Sequence, residues 1–478
     1  MKQSSNPLDL IVRGDLVLPQ RLLRDGVVGI VDGRIVGIFE HEFTPPGRKV
    51  IDARGQYVLP GAIDAHVHCF SAPDEGFTHG TRAAAAGGVT TIIEMPYDVG
   101  NPIISRERFL EKRGRLERES VVDVALLATI KKTGGLDQIP LFAEEGACGF
   151  KMSLYETDPE RFPRIPDPEL LEAFSLIRET GLPVGLHAEN DELVHWGGDR
   201  YRSEGADPQA HCRSRPRVAE SSAVLKALEF AFWTGVHLHI YHATFPRVFE
   251  LVDWFRQQGT CVSAETCTHY LTLTENDMER LGARAKINPP LRSADERDML
   301  WELCRTGSID IVTSDHAPWT LDRKSHSNIF DNASGAPGVE TLVPMLYSEG
   351  VAKGRLSIHD MARLLSQRPA ELFGLSSRKG QIRVGGDADV TIIDPSVEWT
   401  LDEQRLLSTA GWSPYHGWRM KGRVTRTIVR GQVVFDGEKV VGEPGMGQFV
   451  AGQRDGGQHS SVAFRSAQRS PQVSGAMR

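Results

Sequence analysis

Eight short apolar runs recur between residues 61 and 370, and helix-forming segments separate them. Apolar runs of about four to eight residues are typical of buried strands, and strands that alternate with helical segments indicate a parallel sheet. The runs are AIDAHVH, TTIIEMP, VDVALLATI, GFKMSL, PVGLHAE, HLHIYHAT, CVSAETC and IDIVTSDHA. Eight βα units close into a barrel, so the sequence predicts an α/β fold with a (β/α)8 TIM-like barrel at its centre.

Two of the segments between these runs also predict where their helices end. PELLEAFSLIRETG and SSAVLKALEFAFWTG both have an apolar face, and they finish at Gly181 and Gly235. Glycine adopts the left-handed backbone conformation that commonly follows the last turn of a helix. We therefore expect each helix to end at its glycine.

Both ends of the chain are rich in short strands and turns. LIVRGDLVL, GVVGIVDGRIVGIF and KVIDARGQYVLPG occupy the start, where the Asp-Gly pair at 32–33 is typical of a hairpin turn. KGQIRVGGDADVTIIDP and RVTRTIVRGQVVFDGEKVV lie near the end. We predict that residues 1–60 and 371–450 form one small β-sandwich domain beside the barrel of residues 61–370.

The composition disfavours several kinds of partner and location. The net charge of −8, without a basic stripe, argues against nucleic acid, and no apolar run approaches the roughly 18 residues of a membrane span. The polar start MKQSSNPLDLIVRGD lacks the apolar run of a secretory signal, which predicts a cytoplasmic protein. The six cysteines include no CxxC pair, so no disulfide framework is indicated. Residues 451–478 are rich in Gly, Ser, Gln and Arg, which predicts a mobile or surface-draped tail.

Imidazole, amine and carboxylate side chains stand at the ends of five of the eight predicted strands. They are His66, His68, Lys151, His187, His242 and Asp315. Parallel strands of a barrel end at one rim, and residues i and i+2 of a strand point to the same side, so His66 and His68 are positioned to bind one ion together. A lone histidine is more often a hydrogen-bonded core residue than a ligand, but six such side chains at one rim favour a metal centre.

Lys151 is an unusual member of this set, because an ammonium group repels cations and is costly to bury. One interpretation is a salt bridge to a carboxylate of the barrel. The other is that the amine reacts with carbon dioxide, since the resulting carbamate is an anionic ligand whose two oxygens bridge two metal ions. Two such ions lower the pKa of a shared water, and Asp315 beside them accepts the proton of that water and returns it to a leaving nitrogen.

The order and spacing of eight motifs resemble those of the cyclic amidohydrolases of the amidohydrolase superfamily, the group of allantoinase, hydantoinase/dihydropyrimidinase and dihydroorotase. The motifs are GAIDAHVH, GFKMS, GLHAEN, YHAT, ETCTHYL, KINPPLR, TSDHAP and SPYHGWRMKGRVTRTIVRGQVV. They cover almost the whole chain, and GTRAAAAGGVTTIIEMP adds a likeness to allantoinase in particular.

The resemblance implies cofactors, site residues and a reaction. In such enzymes two divalent metal ions, usually Zn²⁺, are bound by the residues that match His66, His68, His187, His242, Asp315 and a carbamylated Lys151. The aspartate is the general acid and base, and the segment around Asn288 holds the cyclic amide, although KINPP is equally typical of a proline-stiffened loop. The implied reaction is the opening of allantoin to allantoate in purine catabolism, by a homotetramer.

Three aromatic residues bear on which ring is the substrate. Dihydroorotases carry an arginine and an asparagine at the places of Phe70 and Tyr97, where both bind a carboxylate-bearing ring, so dihydroorotate is disfavoured. Hydantoinases place a tyrosine after the carbamylated lysine, and Tyr155 stands one position too early for that match, which leaves a packing role equally open. We expect Phe70, Tyr97, Tyr155 and Asn288 to contact the substrate.

Other functions stay open. The first alternative is a hydantoinase or dihydropyrimidinase, which opens related rings. The second is a non-catalytic, dihydropyrimidinase-related assembly protein, although such proteins have lost the metal ligands that this chain keeps. A mononuclear deaminase on the same barrel is a third, but it would not need Lys151. Metal content together with ring-opening activity distinguishes them.

Overall fold

The computed structural model describes residues 7–72 and 74–453, so the predicted tail of residues 451–478 lies outside the described residues except for its first three. The described strands form two sheets, of seven and eight strands. Their bounds are β1 Leu8–Val17, β2 Leu22–Val31, β3 Arg34–Glu40, β4 Gly47–Pro60, β5 Ala62–Val67, β6 Val89–Glu94, β7 Asp123–Ala128, β8 Gly149–Ser153, β9 Val184–His187, β10 Leu238–Ile240, β11 Val262–Cys267, β12 Ile311–Thr313, β13 Val390–Thr400, β14 Arg419–Val429 and β15 Gln432–Phe435.

The α-helices of the described residues lie mainly between the strands of the second sheet. Their bounds are α1 Gly76–Ala86, α2 Arg106–Glu119, α3 Gln138–Glu144, α4 Asp167–Thr180, α5 Asp191–Tyr201, α6 Ala210–Ser214, α7 Arg217–Thr234, α8 Pro246–Gln257, α9 Thr268–Thr272, α10 Asp277–Leu281, α11 Ala294–Thr306, α12 Leu342–Met345, α13 Ile358–Ala362 and α14 Arg368–Leu372. Within the described part of the chain, none of the helices has the length and apolar character needed to span a membrane.

Strands β5 to β12 form the predicted barrel. They are parallel and lie side by side in chain order. Two backbone hydrogen bonds join the first strand to the end of the last: the His68 N–H donates to the His316 carbonyl at 2.9 Å, and the His316 N–H donates to the His66 carbonyl at 3.2 Å. Each of the eight apolar runs contributes one strand, so the predicted fold class is confirmed.

The helix ends agree with the glycine signals. Helix α4 ends at Gly181, whose φ is 74°, and α7 ends at Gly235, whose φ is 73°. The buried residues of α4 are Leu170, Ala173, Phe174, Ile177 and Thr180, which recur three or four positions apart and form one face. This apolar face fixes the helix against the outside of the barrel and so fixes the loop that precedes it.

The seven-stranded sheet joins the two ends of the chain. Its order is β15-β14-β13-β4-β1-β2-β3, and β4 meets β13 in an antiparallel pair in which Pro60 lies opposite Val390. Strands from both ends contribute to one buried apolar cluster that includes Val12, Val28 and Ile392. The hairpin between β2 and β3 turns at residues 32–33, where both φ angles are positive, as a type I′ turn requires. The division of the chain at 60/61 and 370/371 stays a prediction.

Candidate active site at the carboxyl end of the barrel

The carboxyl ends of five barrel strands bring the predicted ligands together. These six predicted ligands line one cavity of about 80 Å³, together with Tyr97 and Asn288. The six side chains are His66 and His68 at the end of β5, Lys151 in β8, His187 at the end of β9, His242 after β10 and Asp315 after β12. Sequence positions that are up to 249 residues apart therefore share one small space, because parallel strands of a barrel end at the same rim.

Three of these residues form a compact donor group. The Nε2 atoms of His66 and His68 lie 3.3 Å apart, and Asp315 Oδ1 lies 3.1 Å from the first and 3.5 Å from the second. One donor atom from each residue lies within 4.8 Å of the other two. Imidazole and carboxylate at this spacing are able to surround one divalent ion.

The other donors adjoin this group. His187 Nδ1 lies 2.9 Å from His242 Nε2, and the rings of His242 and His66 have centroids 5.4 Å apart. Lys151 Nζ lies 3.3 Å from His66 Nε2 and 3.5 Å from the centroid of the Tyr241 ring. Within the described residues no carboxylate oxygen lies within 4.0 Å of Lys151 Nζ, so the salt-bridge interpretation of this lysine has no support.

Two buried carboxylates orient two of the four histidines, His66 and His187. Glu265 Oε1 lies 2.6 Å from His66 Nδ1, and Glu189 Oε2 lies 2.8 Å from His187 Nε2. Each carboxylate accepts the ring proton on its side, so the second ring nitrogen carries a lone pair that faces the cavity. His242 Nδ1 is buried without a hydrogen-bond partner in the described part of the chain. Several ring nitrogens of these histidines thus present lone pairs to one cavity, and this set of donor atoms fits divalent metal ions.

Burial favours the neutral forms that metal binding requires. It lowers the pKa of the four histidines, and for His66 and His242 it does so most strongly. Burial also lowers the pKa of Lys151 to about 8, against the raising influence of Asp315 and Glu265. At neutral pH the imidazoles are therefore uncharged donors, and about a tenth of the lysine is neutral amine, far more than for an ordinary lysine.

The backbone of two of these residues is strained. His242 and Asp315 have φ angles of 42° and 46°, in the left-handed region that residues with a Cβ rarely adopt. Hydrogen bonds fix the backbone at or beside both positions: the His242 N–H donates to Glu265 Oε1 at 3.2 Å, and the N–H of Ser314, next to Asp315, donates to Asp64 Oδ1 at 3.1 Å. Strain that is held by neighbours in this way is characteristic of functional sites.

A larger cavity of about 900 Å³ opens from the inner one. The two share six lining residues, which are Ser71, Thr157, Arg161, Asn288, Trp319 and Ser334. Asn288 therefore stands between the metal-binding residues and the opening. Tyr155 lines the outer cavity, with its ring 4.7 Å from the guanidinium carbon of Arg215 and 6.0 Å from the ring centroid of His187.

The two remaining substrate candidates occupy different environments. Tyr97 lines the inner cavity, but its hydroxyl donates to the backbone carbonyl of Lys151 at 2.9 Å, so it supports the strand that carries the lysine. The buried Phe70 ring packs on Phe77 with a centroid distance of 4.9 Å, and Ser71 rather than Phe70 lines the two cavities. Contact of these two side chains with a substrate stays a prediction.

The sequence analysis overlooked Glu265 and Glu189, although both stand on or directly after predicted strands. Glu189 is two residues after His187, and Glu265 lies in the run CVSAETC. A charged residue within an otherwise apolar, buried strand was the available signal, because such a residue is rarely buried without a partner. The partner itself was not predictable, since Glu265 and His66 lie 199 positions apart.

The chain belongs to the amidohydrolase family, whose sequence model matches residues 57–434. It is 40% identical over 462 residues to an allantoinase of Rubrobacter xylanophilus, a match that covers 94% of this chain and 99% of the relative. It is 32% identical over 460 residues to a D-hydantoinase of Ralstonia pickettii, covering 93% and 98% of the two chains. The solved structure of an L-hydantoinase (dihydropyrimidinase) from Arthrobacter aurescens superimposes with a TM-score of 0.89 at 33% identity, over 93% of this chain and all of that one.

These matches confirm the resemblance inferred from the motifs. The chain is a hydrolase of the cyclic amidohydrolase group, in which both the sequence relatives and the solved structure fall. Its fold, a barrel with a mixed sheet made from both ends of the chain, is the fold of that structural relative.

Proposed function

We propose that the chain hydrolyses a ring C–N bond of allantoin to give allantoate, a step of purine catabolism. The observation that carries the proposal is the convergence of four neutral imidazoles, Lys151 and Asp315 in one inner cavity beneath a larger opening. The allantoinase of Rubrobacter xylanophilus, 40% identical over nearly the whole chain, supports allantoin as the ring.

We also propose that the site holds two divalent metal ions, with Zn²⁺ as the native metal. His66, His68, His187, His242 and Asp315 would hold them, together with Lys151 as a carbamate. The neutral imidazoles, the cavity-facing lone pairs and the absence of an ion pair at Lys151 among the described residues support this set. When bound, such ions polarise an amide carbonyl and lower the pKa of a water molecule.

Asp315 would move the proton in the reaction. Its carboxylate lines the cavity, where it accepts a proton from the attacking water and returns it to the ring nitrogen that leaves. The hydroxyl of that water bonds to the carbonyl carbon as the C–N bond breaks, so the products are an amide N–H and a carboxylic acid, which ionises to the carboxylate by releasing its proton to solvent. Asn288, at the junction of the two cavities, would orient the ring.

Ring opening of hydantoins or dihydropyrimidines is the second candidate. The L-hydantoinase structure, with its TM-score of 0.89, favours it, and the outer cavity of about 900 Å³ has room for ring substituents. The reading of the chain as a non-catalytic assembly protein is disfavoured, because the complete set of metal-binding side chains lines a single cavity.

A panel assay tests the proposed function. Metal-free protein is reloaded with Zn²⁺, Co²⁺ or Mn²⁺ and offered allantoin, hydantoin, 5-substituted hydantoins, dihydrouracil and dihydroorotate. We expect metal-dependent opening with allantoin as the best substrate. Activity on dihydroorotate alone would contradict the choice of ring, and no activity on any ring with metals bound would revive the assembly-protein alternative.

The quaternary structure and the cellular setting are further proposals. Assembly as a homotetramer and a cytoplasmic location stay predictions from the sequence, as does the division into a terminal-strand domain and a barrel domain. Light scattering at micromolar concentration measures the assembly, and a clean monomer would contradict the tetramer.

A further inference from the structure

Arg161 occupies the junction of the two cavities. Its side chain lines both the inner cavity of about 80 Å³ and the outer cavity of about 900 Å³. A substituent on a ring held beside His66 and Asp315 therefore passes this guanidinium on its way to the outer cavity. Arg161 belongs to the loop between β8 and α4, one of the loops at the carboxyl end of the barrel where specificity commonly resides.

The guanidinium of Arg161 has unused hydrogen-bond donors. Its Nη1 donates to the backbone carbonyl of Tyr97 at 3.1 Å. No carboxylate oxygen of the described residues lies within 4.0 Å of the guanidinium. Burial lowers the pKa of Arg161, which shows that the cation is partly desolvated without a close counter-charge. A guanidinium carries five N–H donors in a planar fork, so donors are left for a ligand.

The backbone around Arg161 is well fixed. Asp158 Oδ1 accepts hydrogen bonds from the N–H groups of Arg161 at 2.8 Å and Glu160 at 3.0 Å. The next residue, Phe162, pairs with the backbone of Asp158 and stacks on the Tyr97 ring at a centroid distance of 3.8 Å. This turn holds the arginine at the junction without any ligand present, which lowers the entropy cost of binding one.

Trp319 lies beside Arg161 at the junction. Its ring lies 5.9 Å from the guanidinium carbon of Arg161 and 5.1 Å from that of Arg323. The indole Nε1 donates to the Ser334 carbonyl at 2.8 Å, and Trp412 donates to the carbonyl of Trp319 at 2.7 Å. An aromatic face beside a guanidinium offers a planar group a surface to pack on and N–H donors for its oxygens, which suits an amide, a ureido group or a carboxylate.

We propose that Arg161 binds an acceptor oxygen on the exocyclic arm of the ring substrate and thereby selects rings whose arm carries a carbonyl or carboxylate over rings with a purely alkyl arm. This proposal rests on the ring-opening function proposed above. The ureido carbonyl of allantoin and the carboxylate of an acidic hydantoin offer the same acceptor chemistry. Arg161 is thus a residue that determines specificity, outside the group that performs the chemistry.

The test compares two variants and four substrates in the zinc-loaded enzyme. Arg161→Met removes the donors while keeping an unbranched side chain, and Arg161→Lys keeps the charge without the fork. Arg164→Gln is the matched control, because Arg164 stands on the same loop, lies 3.6 Å from Asp191 and is absent from the lining of both cavities. The substrates are hydantoin, 5-isopropylhydantoin, allantoin and 5-(2-carboxyethyl)hydantoin.

We expect Arg161→Met to lose about tenfold or more in kcat/KM on the two oxygen-bearing arms, mainly through KM, because the lost interaction is present in ground state and transition state alike. Hydantoin and the isopropyl ring should change less than about threefold, and Arg164→Gln should change none of the four beyond that range. A larger loss with the carboxylate arm than with allantoin identifies an acidic arm as the preferred one. The reverse order identifies the ureido arm as the preferred one. Arg161→Lys, which keeps the charge, should bind the carboxylate arm better than Arg161→Met does.

A binding measurement separates this proposal from a folding defect. The measurement is calorimetry of allantoin and the carboxyethyl ring binding to the slow Asp315→Asn variant, with and without Arg161→Met. Adding Arg161→Met should raise both dissociation constants about tenfold. The metal content and the thermal transition should stay unchanged. If Arg161→Met loses activity equally on all four rings while the wild type opens them, the role proposed for Arg161 is wrong and the proposed function stands. Absence of ring opening by the metal-loaded wild type would overturn the proposed function, and the role of Arg161 with it.

Discussion

Glu189 connects the metal-binding residues to the wall of the outer cavity. The fully buried carboxylate lies 2.8 Å from His187 Nε2 and also pairs with Arg215. Replacing Glu189 with glutamine leaves a side chain of similar shape that no longer fixes the tautomer of His187. We expect Glu189→Gln to weaken metal affinity about 10- to 100-fold, measured by competition with a chromogenic chelator. The exposed Glu192 is the control, and equal affinity of the two variants would contradict the role of Glu189.

Asp315 is the residue proposed to move the proton during turnover. A carboxamide in its place donates or accepts hydrogen bonds but takes no proton. We therefore expect Asp315→Asn to retain most of the bound metal and to lose turnover by about a hundredfold or more in kcat. Steady-state kinetics together with metal analysis decide this, and near-normal turnover would assign the proton transfer to another residue.

At the scale of residues, the sequence predicted the six side chains that share the inner cavity but little about the substrate. His66 and His68 were predictable because alternate residues of a strand share a face, and the others because strand ends meet at one rim. Arg161 gave no such signal. Its place at the cavity junction depends on how the loop after β8 turns at Asp158 and on where Trp319 lies, and both are tertiary features.

At the scale of elements, the eight barrel strands and the ends of α4 and α7 followed from local patterns. Apolar runs and a terminal glycine are local signals, and the structure has both. The order of the strands in the terminal sheet was not predictable in this way, because β1 pairs in parallel with β4 and β4 pairs with β13, more than 300 positions away.

Helix α11 begins at a capping box formed by Ser293 and Glu296, five residues after Asn288. Glu296 accepts hydrogen bonds from the backbone and hydroxyl of Ser293, and its carboxylate pairs with Arg217. Burial raises the pKa of Glu296, but the hydrogen bonds from Arg217 and Ser293 outweigh it and bring the pKa to about 2.

Because the folded-state pKa of Glu296 is depressed, its contribution to stability is present above the unfolded pKa near 4.5 and is lost as the pH falls towards 2. We expect Glu296→Gln to lower the free energy of unfolding by about 1 kcal/mol at pH 7, and the difference from wild type to shrink below pH 4. Urea unfolding at both pH values measures this. A difference that stays constant with pH would show that the charge of Glu296 is not involved.

At the scale of the whole molecule, one buried lysine joins the barrel to the terminal sheet. Lys379 Nζ lies 2.5 Å from Asp123 at the start of β7, 3.0 Å from Asp387 and 2.6 Å from Asp389, just before β13. The three carboxylates resemble a metal site in their spacing. Lys379, together with Arg430 at Asp123 and Arg378 at Asp387, already supplies cationic partners to all three carboxylates, so this cluster is structural.

Removing this lysine leaves the buried Asp389 without an ion-pair partner among the described residues, while Asp123 and Asp387 keep Arg430 and Arg378. We expect Lys379→Met to lower the free energy of unfolding by about 3–5 kcal/mol, seen as a lower urea midpoint and a lower Tm. Lys353→Met is the control, because Lys353 is exposed and its partner Glu349 also lies 3.7 Å from Arg355, so this substitution should change stability by less than about 1 kcal/mol. Similar effects of the two substitutions would show that the cluster does not hold the two parts together.

The metal centre is tested most directly by a crystal structure of the zinc-loaded protein with anomalous diffraction at the zinc edge. We expect two zinc ions per chain in the inner cavity, held by His66, His68, His187, His242 and Asp315 together with a carbamate on Lys151 Nζ. An unmodified Lys151 amine beside fully occupied metal positions would contradict the two-metal centre, as would zinc bound elsewhere in a protein that opens allantoin.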